Sequence, residues 1–182
     1  MGGERTMRGR RPRTAVLAAA ALLLTGCAGI AQYYEGTGLH DATAAEAVGS
    51  WDGDQQAHLT LHQDGTATVE RLDGQDWAYD DGWRLSGTGR WELTDEPAGQ
   101  RLVLDLTTRT ATDTRPDARR SLSTAKAPTE APTSYRWRFH VKRDRQHRLE
   151  LFVFIGDPDS GSRHLLTRTP AEPPTAQLPT AR

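Results

Sequence analysis

The pair Asp64-Gly65 stands between two runs of alternating residues, Ala57 to His62 (AHLTLH) and Thr66 to Leu72 (TATVERL). In the first run Ala57, Leu59 and Leu61 fall on one face, with His58, Thr60 and His62 on the other. That period of two belongs to a half-buried strand. An Asp-Gly pair at such a point predicts a hairpin closed by a type I′ turn, whose two central residues need positive φ. Further runs of the same kind begin at Gly49 (GSWD), Trp83 (WRLSG), Gly89 (GRWEL), Arg101 (RLVLDLT), Tyr135 (YRWRFHV), Arg148 (RLELFVFI) and Arg163 (RHLLTRT). Eight or nine short strands joined by short turns predict an all-β antiparallel meander, closed as a small barrel or folded into a β-sandwich.

Local signals punctuate this pattern. Thr43-Ala-Ala-Glu46 matches a capping box, and Gly49 leaves room for only one or two turns of helix behind it. Residues 27–47 therefore read as a tether ending in a short helix, and 48–169 as the β domain. The segment 108–133 carries Thr, Ala, Arg and Pro with one large apolar residue, Leu122, and predicts a disordered insertion. The tail 170–182, with Pro173, Pro174 and Pro179, predicts extended, disordered chain. What remains is about 100 residues, enough to bury roughly 60–65% of the unfolded surface.

The N-terminus constrains location. Arg5, Arg8, Arg10, Arg11 and Arg13 precede the apolar run AVLAAAALLL (Ala15 to Leu24). Ten helical residues rise only about 15 Å, half a bilayer's hydrocarbon core, so residues 1–26 read as a secretory signal rather than a spanning helix. Leu24-Thr25-Gly26-Cys27 directly behind the run resembles the lipobox of bacterial lipoproteins. The resemblance implies diacylglycerol on the Cys27 thiol, cleavage between Gly26 and Cys27, and anchorage to the extracytoplasmic face of the cell membrane. Cys27 is the sole cysteine, so no internal disulfide can form and stability must come from an apolar core.

Charge excludes one class of partner. The formal net charge is -1; without the five arginines and Glu4 of the signal, 18 basic and 23 acidic residues remain, near -5. An acidic domain lacks the basic face that displaces counterions from phosphates, so nucleic acid is not the expected partner.

The chemistry-bearing residues do not assemble into a catalytic or metal site. His58 and His62 share a strand face but stand about 13 Å apart, too far for one ion. The loop Gly156-Asp157-Pro158-Asp159-Ser160-Gly161 begins like a calcium loop, but the third ligand position is Gly161 and the twelfth is Arg168. Asp157, Ser160 and His164 lack the elbow that presents a serine nucleophile. A turn accounts for every residue of that loop: Pro158 presets φ, Asp157 accepts turn amides, and Gly161 suits the left-handed closing position. No cofactor is called for.

Binding candidates are aromatic. Tyr135, Trp137, Phe139 and Val141 share one strand face, so Trp137 and Phe139 are candidate lining of a ligand cavity. Phe152 and Phe154 oppose Leu149, Leu151, Val153 and Ile155 on the next strand, which therefore wants cover on both faces, from the short helix, the tether, a ligand or a partner. Trp77, in the Gly- and Asp-rich segment Asp73 to Gly82, is a candidate for stacking on a ligand.

The order lipobox, Gly49-x-Trp51, Leu-x-Leu strand, Asp64-Gly65-Thr66, Gly89-x-Trp91 and a last hairpin through Gly156–Gly161 into Arg163–Arg168 resembles a group of small actinobacterial lipoproteins without assigned activity. The resemblance implies a lipocalin-like barrel. Gly49-x-Trp51 is similar to the first-strand motif of lipocalins, in which the Trp plugs the barrel base under an Arg of the last strand, a part that falls to Arg168. The expectation is a membrane-anchored binding or interaction module for a small apolar ligand or an envelope protein. The alternative is a structural or protective envelope protein, or an inhibitor, without a pocket; no enzyme is expected.

Overall fold

The computed structural model describes residues 36–118 and 130–170. The signal segment, Cys27, the start of the tether and the tail beyond residue 170 lie outside them. Helix α1 spans Ala44–Ala47, and its capping box is formed: the Thr43 hydroxyl accepts the Glu46 N–H, and the Glu46 carboxylate accepts the Thr43 N–H at 2.9 Å. Eight strands follow, β1 (Gly49–Gly53), β2 (His58–Leu61), β3 (Thr66–Asp73), β4 (Trp83–Thr94), β5 (Arg101–Thr114), β6 (Tyr135–Arg143), β7 (Leu149–Phe154) and β8 (Arg163–Arg168). Each pairs antiparallel with the next, and β1 returns to β8 through Trp51↔Arg168 and Gly53↔Leu166. The sheet is therefore a closed eight-stranded barrel, the lipocalin-like alternative rather than the sandwich. Closure pairs the backbone of every strand and leaves no open edge.

The Asp64-Gly65 hairpin forms with a different turn from the one expected. Gly65 alone of the pair has positive φ, +79°, and the register opposes Leu61 to Ala67. Three residues thus sit between the paired His62 and Thr66, with Gly65 in the left-handed position of a bulge that ends a type I turn. Asp64 stabilises it as an acceptor for the Thr66 N–H (2.9 Å) and hydroxyl (2.7 Å), which hold its carboxyl below the ordinary carboxylate range.

Two expectations are corrected along β4 and β5. WRLSG and GRWEL are one strand, not two, because Gly87 and Gly89 do not interrupt pairing. Bulges in the β5 register bring its backbone so close that a Cβ on Gly87 would lie 2.1 Å from the Thr108 carbonyl oxygen, and one on Gly89 2.0 Å from that of Asp105. The second correction is that β5 runs on to Thr114, well into the segment 108–133 expected to be disordered. Its threonines pair along the first half of β4, Thr108 with Thr88 and Thr114 with Trp83. β-branched residues fit that pleated surface, although their polarity had suggested loop. Arg109 also donates to the carbonyls of Ala131 and Pro132, at 2.7 and 3.0 Å, where the described chain resumes.

The tether is docked from its first described residues. Gly38 donates to the Ala98 carbonyl, Gln100 N–H to that of Leu39, and the buried Gln100 side chain both accepts from Ala42 N–H (2.8 Å) and donates to its carbonyl (3.0 Å). The side-chain amide thereby imitates a paired strand.

α1 closes one end of the barrel. Trp51, with no exposed surface, donates from Nε1 to the Ala47 carbonyl at 3.0 Å. Arg168 lies over its ring, 5.0 Å from the centroid, and donates to the carbonyls of Val48 (2.8 Å) and Glu46. This is the Trp–Arg arrangement expected at a lipocalin base. The interior is filled by Trp51, Leu59, Leu102, Leu104, Trp137, Phe139 and Leu151, none with exposed surface.

Candidate functional site

The opposite end carries the β1–β2, β3–β4, β5–β6 and β7–β8 connections, and its composition differs from that of the closed end. Trp83, Arg84 and Leu85 are buried in succession, so the alternation that governs the rest of β4 breaks at a cation. Arg84 is 2% exposed and lies beside two other buried ionisable residues, Asp73 at the end of β3 and His164 in β8. Asp73 Oδ1 is 3.2 Å from Arg84 Nε, and its Oδ2 is 3.2 Å from His164 Nδ1. One carboxylate thus serves two partners. Arg84 Nη1 also donates to the Gln55 carbonyl at 2.8 Å, and the Asp73 main-chain carbonyl accepts the Trp137 indole N–H at 2.7 Å.

The cluster is incompletely satisfied. Among the described residues, Asp73 Oδ1, Arg84 Nε and Nη2, and His164 Nε2 are buried without a hydrogen-bond partner. The Arg84 Nε to Asp73 distance is short enough for charge attraction, but the atoms are not aligned for a hydrogen bond. Buried polar atoms are paired in the great majority of cases, so those left unpaired call for an explanation.

Arg84 also lines an open cleft of about 540 Å³, walled by Gln55 and Gln56 from the β1–β2 connection, Arg71 from β3, and Asp113 and Asp117 at and beyond the end of β5. The walls are held in unusual conformations. Gln55, Gln56 and Arg71 have φ of 53°, 67° and 50°, a region that costs a non-glycine residue about 1–3 kcal/mol. Arg71 stands at the bulge where β3 shifts register between Val69 and Leu72. Its N–H donates to the Ser86 hydroxyl at 3.0 Å and its guanidinium to Gln56 Oε1 at 2.8 Å.

Behind the cleft, Arg115 stacks over Tyr79, 3.4 Å from the ring centroid, and donates to Asp117 Oδ1 at 2.6 Å. Burial pushes the Asp117 carboxyl up, but the bond and charge of Arg115 outweigh it, and the group stays below its ordinary range. Burial raises the Tyr79 phenol, with Arg115 opposing.

The sequence-derived candidates fall in different places. Trp137 and Phe139 have no exposed surface and pack in the apolar core. Trp77 is 62% exposed, in a 3-10 turn of the β3–β4 connection at the loop end. Phe152 and Phe154 are both buried. Among the described residues His140 stacks on Phe152 with ring centroids 4.7 Å apart, Arg163 lies over both rings, and Lys142 lies near Phe152. Gly26 and Cys27 lie outside the described residues.

The loop Gly156–Gly161 is a turn: Asp157 accepts the Asp159 N–H at its carboxylate (3.0 Å) and the Ser160 N–H at its carbonyl (2.9 Å). Ser160 bonds to Ser162, and His164 turns to Asp73, so Asp157, Ser160 and His164 do not form a triad. His58 pairs with Asp52 at 2.7 Å and His62 with Thr68. Sequence reasoning weighed His164 only with Asp157 and Ser160, and missed its cluster with Asp73 and Arg84. The available signal was Arg84 between Trp83 and Leu85, a cation inside an apolar run. Comparison with family models, curated proteins and solved structures returns no match.

Proposed function

We propose that this chain is an envelope lipoprotein, held through lipid on Cys27 at the extracytoplasmic face of the cell membrane, and that its barrel is a binding or interaction module working at its loop end. The observation that carries the reading is the contrast between the two ends. One is plugged by α1, Trp51 and Arg168. The other holds a cleft built from several connections over a buried, incompletely paired arginine. Rigid scaffolds commonly carry their recognition groups on such loops.

With the interior occupied by side chains, a small apolar ligand inside the barrel is the weaker form of this reading. A partner or polar ligand at the loops is the stronger form. The same filled interior favours the second reading, a protective or inhibitory envelope protein without a pocket, in which the exposed Trp77 is the contact.

The test places a photo-crosslinking residue at position 77 and, as a control, at Arg136, an exposed wall residue on β6. Both are expressed in cells as the lipidated chain. A discrete adduct from position 77 alone is expected in the membrane fraction. Equal labelling from both positions, or none, counts against a working loop end. Cys27→Ala is expected to abolish labelling by a fatty-acid analogue and to release the protein from membranes; unchanged labelling refutes the anchor.

A further inference from the structure

We infer that the loop-end cleft binds an oxyanion, the carboxylate or phosphate group of a small polar ligand, with Arg84 as its principal anchor and Arg71 as the second cation; this rests on the binding-module reading above. The cleft is open and has a volume of about 540 Å³.

The two arginines are not equivalent to the two acids that share the walls. Asp117 is engaged by Arg115 at 2.6 Å, and Asp113 accepts the Thr114 N–H at 2.7 Å and takes part in further interaction. Arg84, in contrast, is 2% exposed and among the described residues keeps Nη2 without a hydrogen bond, while its Nε lies 3.2 Å from Asp73 Oδ1. Among the described residues its carboxylate partner, Asp73, is shared with His164. Nε is taken by the charge of Asp73, which leaves the Nη2 N–H donors of the guanidinium for an oxyanion. Contacts with the β1–β2 connection reinforce the placement: the Gln55 main-chain carbonyl accepts from Arg84 Nη1, and the Gln56 side-chain Oε1 accepts from Arg71 Nη1. Both arginines are thus positioned through a connection held at positive φ before any ligand arrives. Preorganisation of this kind lowers the ordering cost of binding.

The test is calorimetric titration of the full lipidated protein in detergent with sodium phosphate and, separately, sodium acetate, against sodium chloride at matched ionic strength. One saturable site is expected for at least one oxyanion, and the stronger of the two tells which group the natural ligand carries. Arg84→Lys keeps the charge opposite Asp73 but loses the fork, and should weaken binding about tenfold or more. Arg71→Gln should weaken it about threefold. Asp113→Asn, which removes a negative charge from the wall, should strengthen it, and Arg136→Gln on the outer wall should leave it unchanged. Circular dichroism reports whether each variant folds; should Arg84→Lys not fold, Arg71→Gln and Asp113→Asn decide in opposite directions. No saturable binding of either anion up to about 50 mM, or binding indifferent to Arg71 and Asp113, overturns the inference. If that happens while position 77 still yields its discrete adduct, the oxyanion site falls and the interaction module stands. If both fail, both fall.

Discussion

Replacing Arg168 by Met, alone and together with Gly49→Ala, tests whether the Trp51 end is held by one shared contact. Arg168 makes two charge-assisted hydrogen bonds to carbonyls at the end of α1 and a cation–π contact with Trp51 at 5.0 Å. The side chain is exposed, so each hydrogen bond contributes about 0.5–1 kcal/mol and the ring contact about 0.5–1 kcal/mol, or about 1.5–3 kcal/mol together. For a domain of this size that corresponds to a fall in Tm of roughly 5–15 °C.

Gly49 sits at φ +127°, and a Cβ there would lie 2.6 Å from Arg168 Nη1. Gly49→Ala therefore strains the backbone and also expels the guanidinium. Once Arg168 is Met, the second cost disappears and only the strain remains. Thermal and urea unfolding of the two single variants and the double variant should give a sum of single effects larger than the double effect, by about 1 kcal/mol or more. Additive costs, or an Arg168→Met Tm within about 2 °C of wild type, would show that the guanidinium does not hold this end of the barrel.

Gln100→Ala strips both partners from the Ala42 backbone and should cost about 2–4 kcal/mol or undock the segment before α1; amide exchange at Ala42 as slow as in the wild type rules this out. Glu46 titrates at about 2 rather than 4.5, through its hydrogen bonds to Arg143 and to Thr43. A depressed folded pKa adds stability that is fully present above the unfolded value and is lost as pH falls from about 4.5 through about 2. The Tm gap between wild type and Glu46→Gln should therefore shrink across that window, and a gap constant from pH 7 to 2 contradicts the assignment. In the β7–β8 turn, Asp159→Asn should leave Tm unchanged with or without calcium, whereas Asp157→Ala should lower it, because Asp157 is the turn acceptor. A calcium-dependent rise in Tm that is lost in Asp159→Asn would mark a metal loop instead.

Local periodicity made much of this protein legible. Alternation at Ala57–His62 and Tyr135–Phe139, the Thr43–Glu46 capping box and the proline turn at Asp157–Gly161 each depend on neighbours within a few residues, and each formed, whereas His140, expected on the solvent face, is buried. Gly49-x-Trp51 pointed to the plugged end and to Arg168. Where a reading failed, the deciding contact was distant. Gly87 and Gly89 look like strand breakers until β5 presses against them, and the threonines beyond Leu106 look like loop until β4 offers them partners. The same holds for Arg84, which the chain shows only as a cation in an apolar run. The sequence by itself therefore determined an all-β chain with a capped helix and defined turns, because periods of two and cap spacings are short-range properties. Only the tertiary structure decided that the sheet closes and that His164 joins Asp73 and Arg84 under a cleft, because the β1–β8 pairing and the His164–Asp73 contact join strands far apart in the chain.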